Sequence, residues 1–389
     1  MERSDVSGLA TNLAASGVTT QTKTICVLGA ASSPHVLTRA EAFAARGYDV
    51  RLLSPVSGHS DVIPVDFPRS GTRGLLGKLR LLWWTATSLL RQRADVFHAH
   101  YAAEVGTWLA WLLGRRPLVV SVMGGDVLFD EQGSLGPLGR WLTRRALLGA
   151  DLITVKTPDL ADVVAGFGVP RANIEIVIWG VDLDIHRFDE TAGQAFRQEI
   201  GIGPDRAVVF SPRIMHPFYN IDLLVDAWPE VLCLVPQAVL VISTFGGATA
   251  YREHLQRRAE TLGVAHAVVF ASARPTAAMA GAYSGSELIV SIPPSDGFPQ
   301  AVLEAAACGR PMVLSDLARL HSFFAPDVDV LYTELSISAI ARTIVAALSD
   351  PTTSARRAEA AHRKVTTGAN FRENVDRVEG RFMQLMKAD

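Results

Sequence analysis

ELIVSIPPSDGFPQAVLEAAACGRPMVL, residues 287–314, contains the structural unit that is repeated along this chain. An apolar run, Glu287–Ser291, is stopped by Ile-Pro-Pro, an Ala-rich segment follows, and Pro311–Leu314 is apolar again. Short runs that are apolar on both faces are typical of parallel strands covered by helices. Pro299 is a favoured first-turn residue of a helix. The stretch therefore predicts a strand, a helix that begins near Pro299, and a second strand parallel to the first.

The same alternation of strands and helices occurs twice along the chain. Segments such as Thr38–Arg46 and Tyr251–Leu262 have helical composition and length. Strands that alternate with helices in this way form parallel sheets with helices on both faces. The pattern predicts an α/β fold with two Rossmann-like doubly wound domains that face a central cleft. The other predicted strands are Thr24–Leu28, Asp49–Leu53, Asp95–His98, Leu118–Val122, Asp151–Val155, Ile174–Ile178, Ala207–Ser211, Ala238–Ser243 and Ala267–Ala271.

Chain length and interruptions of the pattern predict the domain boundaries. A chain of 389 residues is long enough for two domains. Residues 1–22 have early acids and no apolar core of the kind that an export signal needs, and we expect a flexible leader. The strand pattern stops at Trp179–Phe188. We therefore expect an N-terminal domain over residues 23–182 and a C-terminal domain over residues 183–370.

The composition excludes several classes of protein. The chain is 49% hydrophobic and 20% charged with a net charge of −2, which predicts a folded protein and argues against a general nucleic-acid binder. Its three cysteines, Cys26, Cys233 and Cys308, lie far apart, without a CxxC or Cys/His cluster, so we expect no metal site and a reducing, cytoplasmic location. No apolar run reaches the ~18 residues of a membrane span.

Two carboxylates flank the start of the helix predicted near Pro299. The free N–H groups of its first turn, Gly297–Gln300 with Phe298 and Pro299 between them, form an anion site suited to phosphate. Asp296 lies just before this turn and Glu304 lies inside the helix. Because carboxylates accept hydrogen bonds from sugar hydroxyls, the segment predicts a nucleotide-sugar clamp with hexose on Asp296 and ribose on Glu304. On spacing alone, a helix cap and a solvated surface acid fit equally well.

PSDGFPQAVLEAAACGRPMVLSD, residues 294–316, resembles the E-x7-E segment of retaining glycosyltransferases of family 4, which have the GT-B fold. The resemblance extends from about Lys23 to the last helix. It implies that the first acid contacts the donor sugar and the second the ribose, with Asp296 standing where the family usually has Glu. It also implies a UDP- or GDP-linked sugar as co-substrate, no further cofactor, and a C-terminal helix, about residues 371–389, that joins the N-terminal domain.

The loop after the first strand of the second domain carries the next implied donor contacts. Arg213 in FSPRIMHPFYNIDLLVDAW, residues 210–228, matches an Arg that neutralises the donor pyrophosphate in the family. The Lys that the family carries about five residues later is absent, and the loop offers His216, Tyr219 and Asn220 instead. After a later strand, backbone groups near Arg274 are implied to meet the nucleobase.

Loops of the first domain provide the remaining candidates. His100, in DVFHAHYAAEVG, matches a family His that contacts the donor sugar near its anomeric centre, whereas His98 is expected to pack beneath it. With Asp296 and Arg213, His100 completes the predicted catalytic set. A glycine-bearing turn follows the first strand, but GxGxxG is absent, which weakens an NAD hypothesis. The predicted acceptor-side residues are Gly29, Ser33, His35, Gly125 and Asp126.

One basic segment allows two interpretations. Residues 74–93, GLLGKLRLLWWTATSLLRQR, are apolar with Lys78, Arg80, Arg91 and Arg93. Such a helix packs on the first sheet in the simpler interpretation. In the other, it makes a weak peripheral contact with the inner face of a membrane.

The sequence hypothesis is retaining transfer of a hexose or N-acetylhexosamine from a nucleoside diphosphate sugar to an acceptor hydroxyl. The acceptor would be a small glycoside, a natural product or a glycoconjugate precursor. An epimerase or phosphorylase on a similar frame is an alternative, although no lysine motif for a pyridoxal cofactor stands out. A non-catalytic nucleotide-sugar-binding module is the alternative from another class. The sequence indicates no particular oligomeric state.

Overall fold

A computed structural model describes residues 22–69, 74–129 and 135–387. Almost all of the predicted leader, residues 1–22, lies outside this range. Within it, strands and helices alternate, and the strands form two sheets in which every pairing is parallel. The structure confirms the predicted α/β fold class with two doubly wound, Rossmann-like sheets.

The first sheet contains seven strands in the order β3-β2-β1-β4-β5-β6-β7. The strands are β1 (Thr24–Leu28), β2 (Asp49–Leu53), β3 (Val65–Asp66), β4 (Val96–His100), β5 (Leu118–Ser121), β6 (Leu152–Val155) and β7 (Ile174–Ile176). Its helices are α1 (Pro34–Ala44), α2 (Gly74–Arg91), α3 (Val105–Leu112), α4 (Pro137–Leu148) and α5 (Pro158–Gly166).

The second sheet contains six strands in the order β10-β9-β8-β11-β12-β13. The strands are β8 (Ala207–Ser211), β9 (Ala238–Ser243), β10 (Val268–Ala271), β11 (Leu288–Ser291), β12 (Met312–Ser315) and β13 (Leu331–Thr333). The helices are α6 (Glu190–Glu199), α7 (Ile221–Leu234), α8 (Thr249–Thr261), α9 (Thr276–Ser284), α10 (Gln300–Ala307), α11 (Ala318–His321), α12 (Ile337–Ser349), α13 (Pro351–Gly368) and α14 (Phe371–Leu385).

Element boundaries differ from the predictions at a few places. Strand β4 continues to His100, two residues beyond the predicted end. Helix α1 begins at Pro34 instead of Thr38, because proline fits the first helical position. The edge strands β3 and β13 were not predicted, since they have only two and three residues and carry little pattern.

The last helix returns to the first sheet. Phe371, Val375, Val378 and Phe382 of α14 are buried in the cluster that contains Phe43 and the strand residues of β1 and β2. The Phe382 and Phe43 rings stack at 5.0 Å. The chain thus crosses between the two sheets twice, once after β7 and once before α14.

Each sheet reverses its strand order at one point. The reversal lies between β1 and β4 in the first sheet and between β8 and β11 in the second. Ligands of open α/β sheets bind outside the carboxyl ends of the strands at such switch points. The loops after β8 and β11 carry Arg213 and Asp296, so the fold brings two of the predicted residues to one switch point.

Candidate functional site

A cavity of about 850 Å³ lies between the two domains. The first domain contributes Met123, Gly125 and Lys156 to its lining, and the second contributes residues that follow β8 and β11. Among the predicted site residues, the lining includes His35, Gly125, Arg213, His216, Arg274, Asp296, Gly297, Phe298, Pro299, Gln300 and Glu304.

Arg213 and Asp296 form an ion pair in this cavity. Arg213 Nη2 donates to Asp296 Oδ2 at 2.6 Å, and both side chains are largely buried, with 10% and 15% of their areas exposed. The Arg213 guanidinium also lies over the Tyr219 ring, 4.4 Å from its centroid. The pair fixes the guanidinium at the carboxyl end of β8, where it can bind phosphate oxygens.

The loop before α10 is held by the same carboxylate. Asp296 Oδ1 accepts a hydrogen bond from the Phe298 N–H at 3.2 Å. Helix α10 begins two residues later, at Gln300, with Pro299 at its N-cap. The first N–H groups of a helix have no intrahelical acceptor, and the helix dipole adds positive charge there. The first turn of α10, where the sequence predicts an anion site, therefore lines the cavity beside Arg213.

Glu304 lies one helical turn deeper and is buried. Tyr283 donates its hydroxyl hydrogen bond to Glu304 Oε2 at 2.9 Å, and His186 Nε2 lies 3.7 Å from Glu304 Oε1. Burial raises the pKa of the Glu304 carboxyl, while His186 and the Tyr283 hydrogen bond oppose this shift. Burial also raises the pKa of Tyr283, so this hydroxyl is a donor. The sequence pattern identified Glu304 but not Tyr283, which comes from α9.

The other predicted donor residues take different positions. His216 lines the cavity, and its Nδ1 accepts a hydrogen bond from the Phe218 N–H. Arg274 lines it too and is paired with Glu199. Asn220 does not belong to the lining; its Nδ2 donates to the Ile292 carbonyl at 2.8 Å and joins the loops after β8 and β11.

His100 lies behind the cavity lining. Only 2% of its area is exposed, and its Nδ1 is 3.3 Å from Arg39 Nη1. Its ring packs on His98, with centroids 4.2 Å apart. Burial, helped by His98 and Arg39, holds the pKa of His100 well below its usual value, which favours the neutral imidazole. Its predicted contact with a donor sugar stays a prediction, because the ring does not reach the cavity here.

The predicted acceptor-side residues are only partly brought together. His35 and Gly125 line the cavity, whereas Gly29 and Ser33 are not part of the lining. Asp126 is fully buried, and its carboxylate accepts hydrogen bonds from the N–H groups of Ala102, Met123 and Gly124. Its direct contacts in this structure therefore hold the loop after β5 in place.

Lys156 is a cavity residue that the motifs did not indicate. It directly follows β6, and its Nζ donates to the Phe298 carbonyl of the other domain at 3.2 Å. Burial lowers the pKa of Lys156 to about 8, and Arg39 and Arg213 act in the same direction. The sequence signal that could have indicated Lys156 was its position directly after a predicted strand, because residues that follow parallel strands lie at the ligand-binding edge of the sheet.

Two glycines form a close backbone contact between the domains. A Cβ on Gly297 would lie 2.1 Å from the Met123 carbonyl oxygen, and one on Gly124 would lie 2.6 Å from the Gly297 Cα. Gly124 also has a φ of +118°, which favours glycine. Nearby, Gln300 Nε2 donates to the Gly180 carbonyl at 2.8 Å. Backbone contact between the loops after β5 and β11 thus closes one side of the cavity.

The part of the chain that the structure describes contains neither a metal-binding cluster nor a membrane-spanning helix. Within residues 22–69, 74–129 and 135–387, no group of three or more His, Cys, Asp or Glu is placed to hold a metal ion. None of the helices in this part of the chain has the length and apolar character that a bilayer crossing requires.

Two family models match the chain. The model of Glycosyltransferase Family 4 matches residues 33–185, and the model of Glycosyl transferases group 1 matches residues 193–364. Together they cover most of the chain, one on each sheet. The chain belongs to the family 4 glycosyltransferases with the GT-B fold, which confirms the resemblance found in the sequence.

Curated relatives match part of the chain. D-inositol 3-phosphate glycosyltransferase of Segniliparus rotundus is 33% identical over 61% of this chain and 54% of the relative. D-inositol 3-phosphate glycosyltransferase 2 of Catenulispora acidiphila is 29% identical over 59% and 57%. GDP-mannose-dependent alpha-(1-6)-phosphatidylinositol monomannoside mannosyltransferase of Mycolicibacterium smegmatis is 34% identical over 53% of each chain. The matches span little more than half the length of these relatives.

Solved structures share the fold at low sequence identity. Sucrose-phosphate synthase from Thermosynechococcus elongatus superposes with a TM-score of 0.80 at 17% identity, over 94% of this chain and 100% of that one. HepE from Anabaena, in complex with UDP-glucose, gives 0.78 at 17% identity over 93% and 100%. These likenesses establish the two-domain architecture.

Proposed function

We propose that the protein is a retaining glycosyltransferase that moves a hexose or N-acetylhexosamine from a nucleoside diphosphate sugar to an acceptor hydroxyl. The observation that carries this proposal is the convergence of Arg213, the N-terminus of α10 and buried Glu304 in one interdomain cavity. An anion site and a hydroxyl-binding carboxylate at this spacing suit a diphosphate joined to ribose.

The donor is a UDP- or GDP-linked sugar in this proposal. One relative is named as GDP-mannose-dependent, and the HepE structure contains UDP-glucose. The acceptor would be a hydroxyl on a small glycoside, a natural product or a glycoconjugate precursor. The relatives' names, which include an inositol phosphate and a phosphatidylinositol mannoside, favour a polar, hydroxyl-rich acceptor.

The proposed reaction does not require a side chain of the protein to act as the base. Both carboxylates of the described lining already hold hydrogen bonds, Asp296 from Arg213 and Glu304 from Tyr283. The bond between the anomeric carbon and the diphosphate would break while the acceptor oxygen bonds to the same face of that carbon. A phosphate oxygen of the leaving diphosphate would take the acceptor proton. Arg213 and the helix N-terminus would stabilise the charge that develops on the leaving group.

Product analysis with a panel of UDP- and GDP-sugars tests this function. Each sugar is incubated with inositols, simple glycosides and glycolipids, and nucleoside diphosphate release and the anomeric configuration of the product are measured. Arg213→Ala and Glu304→Ala should each reduce turnover at least ~100-fold, whereas Arg257→Ala, an exposed change on α8, should not. An inverted product contradicts retention, and diphosphate binding without turnover on any acceptor favours the non-catalytic alternative. A changed donor sugar would indicate an epimerase.

We also propose that a surface of the first domain makes a peripheral contact with an anionic membrane at the inner face. Helix α2 packs against α3, and α3 packs against α4. Their outer faces expose large apolar side chains, here called the apolar face: Leu75, Leu76, Leu79, Trp83, Leu112, Leu138 and Trp141. Exposed basic residues border it, namely Lys78, Arg80, Arg91, Arg144 and Arg145. Apolar residues ringed by cations suit an anionic lipid surface.

Vesicle sedimentation tests the membrane contact. The protein should co-sediment with vesicles that contain phosphatidylglycerol and much less with pure phosphatidylcholine. The double variant Leu75→Ser, Trp83→Ser should lose this binding, whereas Leu234→Ser, an equally exposed leucine of the second domain, should retain it. Equal binding by all variants would contradict the proposal, as would a wild-type dimer that the double variant abolishes.

A further inference from the structure

Lys156 is the cation that the first domain places in the cavity. The described lining contains two other Lys or Arg side chains, and each is engaged by a carboxylate: Arg213 by Asp296 and Arg274 by Glu199. The contact of the Lys156 ammonium is with a neutral carbonyl, that of Phe298. Among the described lining residues, Lys156 is therefore the cation that has no ion pair.

The residues that the second domain contributes to the described lining carry little net positive charge for a diphosphate. Arg213 shares its charge with Asp296, so this pair is neutral as a unit. The N-terminus of α10 adds only about half an elementary charge. The loop after β8 carries His216 in place of a further lysine or arginine, and the His216 Nδ1 accepts a hydrogen bond from the Phe218 N–H. A bound diphosphate thus needs a cation from elsewhere.

Lys156 lies where that cation would have to be. Its partner Phe298 comes immediately before the N-cap of α10, so the ammonium lies beside the anion site of the helix. Lys156 follows β6 of the first sheet, and Arg213 follows β8 of the second sheet. The two cations therefore come from the carboxyl ends of different sheets. The Lys side chain is long and flexible, and a neutral carbonyl is a weaker partner for it than a phosphate oxygen.

We propose that Lys156 binds the donor diphosphate across the cleft and so takes the place of the pyrophosphate lysine that the loop after β8 lacks. This inference rests on the nucleotide-sugar function proposed above. Because Lys156 and Arg213 belong to different domains, both contact one diphosphate only when the cleft is closed. The diphosphate would therefore favour the closed arrangement, and a monophosphate, which lacks the second charged group, would do so less.

Titration calorimetry of the full chain with UDP, UMP, GDP and GMP tests the role of Lys156. The wild type should bind one nucleoside diphosphate more tightly than its monophosphate. Lys156→Met should lose about 10- to 100-fold in affinity for that diphosphate, as expected for a hydrogen bond to a charged group, with little change for the monophosphate. Lys156→Arg should recover much of the loss, and Lys78→Met, on the exposed face of α2, should behave as the wild type.

The outcomes separate the two proposals. If Lys156→Met keeps the wild-type preference for diphosphate over monophosphate, the inference is wrong while the proposed function stands. An equal loss for both nucleotides would mean that Lys156 only holds the domains together through Phe298, and would also overturn it. If the folded wild type binds neither UDP nor GDP, the donor proposal and the role of Lys156 both fail. Circular dichroism of each variant shows whether the fold is retained.

Discussion

Charged residues of both signs surround Lys156. Burial lowers the pKa of its ammonium to about 8, with Arg39 and Arg213 acting in the same direction and Asp296 and Asp126 opposing them. An ammonium with this pKa is charged at pH 7 and loses its proton as the pH rises through about 8. If Lys156 binds the diphosphate, its charge should be visible in the pH dependence of donor binding.

The affinity for nucleoside diphosphate should therefore fall between pH 7 and pH 9. Because the neutral amine above pH 8 no longer balances the diphosphate charge, the Kd should rise by up to about tenfold per pH unit until it levels off at the value of the uncharged form. Lys156→Arg should remove this fall, because a guanidinium stays charged throughout the range. Calorimetry in matched buffers measures the Kd of the wild type and of the Arg variant at each pH. A wild-type Kd that does not change with pH, or an identical profile in the Arg variant, would contradict the prediction.

At the scale of residues, the sequence located cavity residues where a strand end and a motif coincide. Arg213 follows β8, Asp296 follows β11 and Glu304 lies in α10, and all three line the cavity. Their roles stay predictions. Lys156 was missed because nothing in its local sequence distinguishes a cavity lysine from a surface lysine. Its significance comes from Phe298 of the other domain, 142 residues away. The sequence also predicts Asn220 as a donor contact; in this structure its amide bridges two loops outside the cavity lining.

At the scale of elements, the loops after β5 and β11 determine how closely the domains approach. A side chain on Gly297 would meet the Met123 carbonyl oxygen, and a side chain on Gly124 would meet the Gly297 Cα. The sequence indicated Gly297 as part of an anion site. The structure shows that Gly297 also approaches Gly124, which no single-segment pattern could reveal, since the two loops belong to different domains.

Gly297→Ala should hold the cleft open without unfolding either domain. The added methyl would lie 2.1 Å from the Met123 carbonyl oxygen, a contact that requires the loops to separate. We expect kcat/KM to fall at least ~10-fold, since a misplacement of about 1 Å in a site can cost more than that. Gly203→Ala is the control, because no atom lies within 4 Å of its added Cβ. Steady-state kinetics and small-angle scattering would measure both changes; an active, equally compact Gly297→Ala protein would contradict the expectation.

At the scale of the whole molecule, the last described helix packs on the first domain. Helix α14 packs on α1, and Arg46 pairs with Asp376, 330 residues away. The local sequence pattern does not say which sheet a helix in this segment would cover. The resemblance to a family, rather than the local pattern, implied that the last helix joins the first domain.

Phe382→Ala should destabilise the first domain in particular. The ring is fully buried, stacks on Phe43 at 5.0 Å and meets the edge of His98, so its removal leaves a cavity that costs about 3–5 kcal/mol. The neighbouring Met383 is 45% exposed, and Met383→Ala should change the free energy of unfolding by no more than about 0.5 kcal/mol. Urea unfolding gives the total change. Hydrogen exchange should then show faster opening of β1, β2, β4 and α14, with β8, β9 and β11 as protected as in the wild type. Equal loss of protection in both sheets would mean that the two domains unfold as one unit, and that α14 stabilises the whole molecule.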